Sequence, residues 1–110
     1  MNLMKKTLIA LAALFIATPV FAQDGIASVY DYGYRTASGA RFNPRCVCAA
    51  SKTLPLGSHV RVQNLRTGHS ITVTINDRGP YVRGRIIDLT PAAASALGVR
   101  GLGKVRVAGG

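Results

Sequence analysis

The chain has 110 residues and a formal charge of +10, with 14 Lys and Arg set against four acidic side chains, all of them Asp. That length allows one domain and no more, and the core must be compact. The absence of any Glu leaves few carboxyl groups for acid–base work, and the charge favours polyanionic partners.

Residues 1–22 read as a secretory leader. Lys5 and Lys6 supply a positive start, Thr7 to Ala17 a short apolar run, and Val20-Phe21-Ala22 the small residues that a signal peptidase reads. The apolar run falls short of the about 20 residues that span a bilayer, so no stable membrane anchor is expected. No Cys stands at the expected cleavage point, which argues against a lipoprotein. The expected mature domain, 23–110, keeps 12 basic and four acidic side chains, a charge of +8. For an exported protein the polyanion is the cell wall or a membrane surface rather than nucleic acid, and the bland alternative is that charge only maintains solubility.

Gly25 to Tyr30 alternates as a first strand. Tyr32 and Tyr34 continue its period of two, but Gly33 and Thr36-Ala37-Ser38-Gly39 argue for a loop soon after Tyr30. Cys46 and Cys48 follow. In an extended strand a Cys-x-Cys pair stands about 6.5–7 Å apart, at or beyond the limit for bridging. A strained bridge, intermolecular pairing and two buried thiols all remain open. His59 and His69 lie in unrelated contexts, so no metal and no other cofactor is expected.

His59 to Asn64 and Ser70 to Asn76 alternate around Arg66-Thr67-Gly68, the clearest hairpin in the chain. Val60, Val62, Ile71, Val73 and Ile75 face inward by this pattern. Thr90 can cap a helix with Pro91 at its first position, Ala92 to Leu97 continuing it and Gly98 closing it. Val105 and Val107 suggest a last strand. Short strands, one short helix after Thr90 and frequent turns predict a mainly β chain closed into a small barrel.

The alternation Ile71, Val73, Ile75 reaches Asp77 just before Gly79-Pro80. A carboxyl partly buried there suits a general acid, although Arg78 beside it would oppose protonation if its guanidinium turned inward. Capping of the turn by Asp77 is an equal reading. Asp88 is expected to be structural, pairing with an Arg or holding local backbone. Ordinary glycoside hydrolysis uses two carboxyl groups at a defined separation; one acid without an evident partner suits a substrate that supplies its own nucleophile. Neither His has the context of a nucleophilic triad, and no phosphate loop or aromatic nucleic-acid surface occurs.

Ile75-Asn76-Asp77-Arg78-Gly79-Pro80 followed by Gly84-Arg85-Ile86-Ile87-Asp88-Leu89 and Ala92-Ala93-Ala94 resembles the core of the RlpA (rare lipoprotein A) family. Upstream, Ala27-Ser28, Tyr30, Thr36-Ala37-Ser38-Gly39, Phe42, Ala49-Ala50, Thr53-Leu54-Pro55 and Val60-Arg61-Val62 keep the family's order. The resemblance implies a six-stranded double-psi β-barrel, related in fold to expansins. It also implies lytic transglycosylase action on the peptide-free glycan strands of peptidoglycan, in the periplasm or cell wall. Such a reaction cuts the MurNAc–GlcNAc link and leaves a 1,6-anhydro end, because the sugar's own hydroxyl attacks. The family's catalytic Asp falls on Asp77, and Tyr30, Arg78 and Tyr81 are candidate substrate contacts. The family's second catalytic residue, a His, falls on Ser51, which cannot titrate near neutrality. Val29 stands where a Trp is common. These two departures favour the alternative of a non-catalytic, expansin-like glycan binder.

Overall fold

The computed structural model describes residues 21–30 and 35–109. Six strands, β1 (Phe21–Val29), β2 (Cys48–Ala50), β3 (His59–Asn64), β4 (Ser70–Asp77), β5 (Arg85–Leu89) and β6 (Leu102–Gly109), close a barrel in the order β1-β5-β2-β4-β3-β6. One helix, α1 (Pro91–Leu97), packs beside it. Among the described residues, the mainly β barrel and its one helix after Thr90 are as the sequence predicts, and the six-stranded double-psi form is as the resemblance implies.

The hairpin β3–β4 forms as its alternation dictates. Val60, Val62, Val73 and Ile75 are buried, Arg61 and Thr72 are exposed, and Gly68 takes φ 82° in the turn. His59 and His69 are both exposed, with Nδ1 of His59 3.1 Å from Thr74 Oγ1. β6 pairs antiparallel with both β3 and β1, and Val105 and Val107 complete the core layer. Thr90 caps α1 by accepting a hydrogen bond from the Ala93 amide, while Gly98 closes the helix at φ 80°. Ala93, Ala94 and Leu97 then seal one side of the core. Asn64 at the end of β3 donates through Nδ2 to the Leu97 carbonyl at 3.1 Å, fastening the hairpin to the helix.

Three features depart from the sequence reading. β1 begins at Phe21, four residues before the expected strand, because Phe21 to Asp24 pair with Arg106 to Gly109 of β6. Their side chains carry no alternation; the backbone ladder recruits them, helped by Phe21 packing against the core and by the Asp24–Arg106 pair. Of the expected leader, 1–22, only Phe21 and Ala22 fall within the described residues. Nothing in the sequence pattern marks β2 or β5 as a strand: β2 has three residues, all buried, and β5 only five. Finally, Cys46 sits in a bend whose amide bonds back to Asn43, so the extended spacing does not apply; the Cys46 and Cys48 Cα atoms are 5.2 Å apart and the sulfurs are bridged.

Candidate active site

The site lies where the two parallel strand pairs, β1–β5 and β2–β4, come together around β2. The register there defines two rows across the sheet. Val29, Leu89, Ala49 and Ile75 form one, on the core face. Ser28, Asp88, Ala50 and Asp77 form the next, on the opposite face. Paired residues on neighbouring strands point to the same side, so this second row sets both carboxyl groups on one surface with Ala50 between them.

Asp77 reaches that row through an irregularity. Ala49 pairs with Ile75, yet Ala50 pairs with Asp77, so Asn76 is an extra residue in β4. Such a bulge re-aims the side chains beyond it. Asp77 is buried, at 4% exposure, as the alternation suggests, but not by continuing the face of Val73 and Ile75. It lies beneath the Thr36–Ala40 turn instead. Oδ1 accepts the Ala37 amide and the Arg78 amide, each at 2.9 Å. The Ser38 amide donates to the Asn76 carbonyl at 3.1 Å, holding the turn over the bulge. The Arg78 contact is the local turn-capping that Asp favours beside Gly and Pro, whereas the Ala37 contact spans forty residues and shapes the site.

Arg78 does not turn inward toward Asp77. Its Nη1 donates to the carbonyls of Ser51 (3.0 Å) and Leu54 (2.7 Å), clamping the segment that follows β2. Ser51 is buried directly after β2, and its amide donates to the Asp77 carbonyl oxygen at 3.1 Å. Its backbone is therefore a neighbour of Asp77. Its Oγ accepts from the Thr53 and Leu54 amides at 3.3 and 3.0 Å, which is a turn-capping use of the hydroxyl.

Tyr30 is buried at 3% exposure, its ring 5.0 Å from that of Phe42 in a small cluster that also covers Ala50. Packing rather than a sugar occupies that ring. Tyr81, by contrast, is 77% exposed. It rims a groove of about 490 Å³ lined also by Ser28, Val29, Arg78, Arg85 and Asp88.

Asp88 takes a different partner from the Arg or local backbone expected of it. No Arg lies within ion-pair distance, the one such pair among the described residues being Asp24–Arg106. Instead its Oδ1 accepts the Ser28 hydroxyl at 3.1 Å across the β1–β5 register. Burial pushes its carboxyl up from the usual value; the Ser28 hydrogen bond and the charge of Arg85 pull the other way, and the charge of Asp77 adds to the rise. Sequence reasoning missed that Asp88 and Asp77 share a row, because neither the bulge at Asn76 nor the pairing of both residues with Ala50 is written in any local pattern.

A closed six-stranded barrel with mixed parallel and antiparallel pairs and a short capped helix is a double-psi β-barrel. The family model described as "Lytic transglycolase" matches residues 22–108, and the chain belongs to the RlpA-like double-psi β-barrel family. It is 53% identical over 92 residues to "Endolytic peptidoglycan transglycosylase RlpA" of Pasteurella multocida, covering 79% of this chain and 31% of that protein. It is 52% identical over 87 residues to "Probable endolytic peptidoglycan transglycosylase RlpA" of Synechocystis sp., covering 76% and 27%, and 46% identical over 90 residues to the Escherichia coli (strain K12) protein, covering 79% and 25%. The chain thus spans about a quarter to a third of the length of these curated relatives. Among solved structures, "Streptomyces papain inhibitor (SPI)" superposes with a TM-score of 0.62 at 22% identity, covering 82% of this chain and 94% of that one, and shares the fold.

Proposed function

We propose that this protein is an endolytic peptidoglycan lytic transglycosylase, exported by a leader over residues 1–22 and acting on peptide-free glycan strands in the periplasm or cell wall. The observation that carries the reading is Asp77. A barrel of a transglycosylase family presents a carboxyl at the strand end, buried and oriented by two amides, one of them brought from forty residues away. In the proposed reaction the C6 hydroxyl of MurNAc attacks its own anomeric carbon, the link to GlcNAc breaks, and no water is consumed. Asp77 handles the proton that must leave the attacking hydroxyl and the one that must reach the departing oxygen. Tyr81 offers an exposed ring for stacking on a sugar face. Arg78 and Arg85 keep the groove positive, and no cofactor takes part.

The test is direct. Protein incubated with peptide-free glycan strands should release fragments ending in 1,6-anhydro-MurNAc, identified by mass spectrometry. Intact strands that are nonetheless retained by the protein would establish the second reading, a glycan binder without activity. Ser51 favours that second reading, since its hydroxyl is committed to the Thr53 and Leu54 amides and supplies no titrating group beside Asp77. Ser51→His is expected to raise turnover, at some cost in melting temperature because the turn loses its cap. Unchanged turnover in the folded variant would show that position 51 has no part in the chemistry.

A further inference from the structure

Ser28 lines the Tyr81 groove, and across the β1–β6 ladder it pairs with Leu102, one strand spacing of about 4.8 Å away. Leu102 lines a second concavity, of about 800 Å³, between the end of β3 and the loop that leads from α1 into β6. Leu65 and Arg66 form one wall; Val99, Arg100, Leu102 and Lys104 form the other. Gly98 and Gly101 turn the loop at φ 80° and 69°. Gly103 lets Val99 sit close, since a Cβ there would stand 3.2 Å from both Val99 methyl carbons. The Leu65 amide donates to the Lys104 carbonyl at 3.0 Å and ties the two walls together.

The charge in this groove is one-sided. Arg66, Arg100 and Lys104 are exposed. Among the described residues no carboxyl group lines the space, and none of the three cations joins the one ion pair. Asp24, on the strand beside Lys104, is already held by Arg106. Three cations drawn together repel one another, and an anionic ligand relieves that repulsion. Leu65 and Leu102 offer apolar surface beside them, 39% and 55% exposed. The ligand that fits is a chain with repeated carboxylates on a body that also has apolar faces. A peptide-free glycan strand is such a chain: each MurNAc carries a lactyl carboxyl that is free once the stem peptide is gone, and its sugar rings present C–H faces.

We propose that the Arg66–Arg100–Lys104 groove is a distal subsite for the glycan strand, which passes from the Tyr81 groove over Leu102 and is held there by its lactyl carboxylates. The identity of the strand rests on the transglycosylase reading; the residues that hold it here lie outside the reacting groove. Guanidinium and ammonium groups bind carboxylates through charge-assisted hydrogen bonds, and each Arg presents paired donors. A stem peptide joined at the lactyl group turns that carboxylate into a neutral amide, so the groove favours stripped strands. Contacts remote from the scissile bond also hold the chain in place while the bond breaks.

Binding measurements, which need no turnover, test this. The protein is titrated with peptide-free strands and with the same strands after their carboxyls are converted to methylamides. The native protein should bind the carboxylate form about tenfold more tightly. The triple variant Arg66→Gln, Arg100→Gln, Lys104→Gln should lose that preference. A second triple, Arg45→Gln, Lys52→Gln, Arg61→Gln, removes the same charge from exposed positions elsewhere and should keep it. Leu102→Glu puts a carboxylate on the path between the grooves and should weaken the carboxylate form more than the methylamide. Equal losses in the two triples would reduce the effect to overall charge and overturn the proposal, as would a native protein indifferent to the carboxyls or unchanged binding in Leu102→Glu. Binding to phosphatidylglycerol vesicles that the first triple loses, while its preference on glycan survives, would give the groove to a membrane surface and overturn it too. A native protein that shows the preference but releases no anhydro ends defeats the transglycosylase reading and leaves the subsite standing.

Discussion

The two sides of the barrel are built differently. On one, β3 pairs with β4 and β6 in antiparallel ladders without a register shift, and Val60, Val62, Val73, Ile75, Val105 and Val107 alternate into the core. On the other, β1–β5 and β2–β4 run parallel, and each ladder is interrupted once, between Ile26 and Ala27 and between Ala49 and Ala50. Both sides contribute to the hydrophobic core, Ile87 and Leu89 from β5 among them. The irregular side carries Asp77, Asp88, Ser28 and Ser51. Regular alternation leaves no freedom to aim a polar group, since each residue is committed to core or solvent, whereas an extra residue shifts that commitment by one place.

The largest expected effect lies on the irregular side. Asp77→Asn keeps an oxygen to accept the Ala37 and Arg78 amides, so it should fold and melt as the native protein does while losing about 10²–10⁴-fold in release of anhydro ends. A variant that retains full activity would detach the bulge from function. On the regular side, Val62→Ala removes two methyl groups from a fully buried position and should cost about 2 kcal/mol in urea unfolding, with activity per folded molecule unchanged. An equal fall in activity would mean that the two sides are not separable.

A smaller effect has a definite sign. The Asp88 carboxyl titrates above the ordinary 3.8 in the folded protein, so the folded state holds its proton more tightly than the unfolded chain. The stability this contributes is present in acid and is lost as pH rises through the raised value. Asp88→Asn, which cannot ionise, should therefore melt at a higher temperature than the native protein at pH 7, and the difference should vanish near pH 3. A difference independent of pH would argue for altered packing instead. The smallest effect belongs to Asp24 and Arg106, whose carboxylate and guanidinium meet in two hydrogen bonds at 2.7 and 2.9 Å on the exposed β1–β6 surface. Arg106→Ala should leave thermal melting within error, because water and salt screen such a pair.

The same contrast explains what could be read from the chain. The β3–β4 hairpin, its Gly68 turn and the helix from Thr90 to Gly98 follow local rules of period, capping and left-handed glycine, and they form where those rules put them. β2 is three buried residues with no alternation to detect, and β5 is recognised only through its partners. Asp77 is legible as a strand-end carboxyl, but its orientation depends on Asn76 standing outside the register. Asp88 resembles a structural residue between Arg85 and Thr90, and only the pairing of β5 with β1 and β2 brings it to the groove. Tyr30, an aromatic next to a strand end, is as good a sugar contact as Tyr81 in sequence; the ring of Phe42, twelve positions on, decides otherwise.

The amide of Ala37 has a consequence for how this site can change by mutation. The atom that reaches Asp77 is main chain, so every residue except proline can provide it, and the exposed methyl of Ala37 is free to vary. What the site depends on at this point is the number of residues between Thr36 and Ala40. A substitution scan across the turn would find tolerance at position 37, and a single deletion there would do what few point changes could. The instruction for placing this carboxyl is stored as a length.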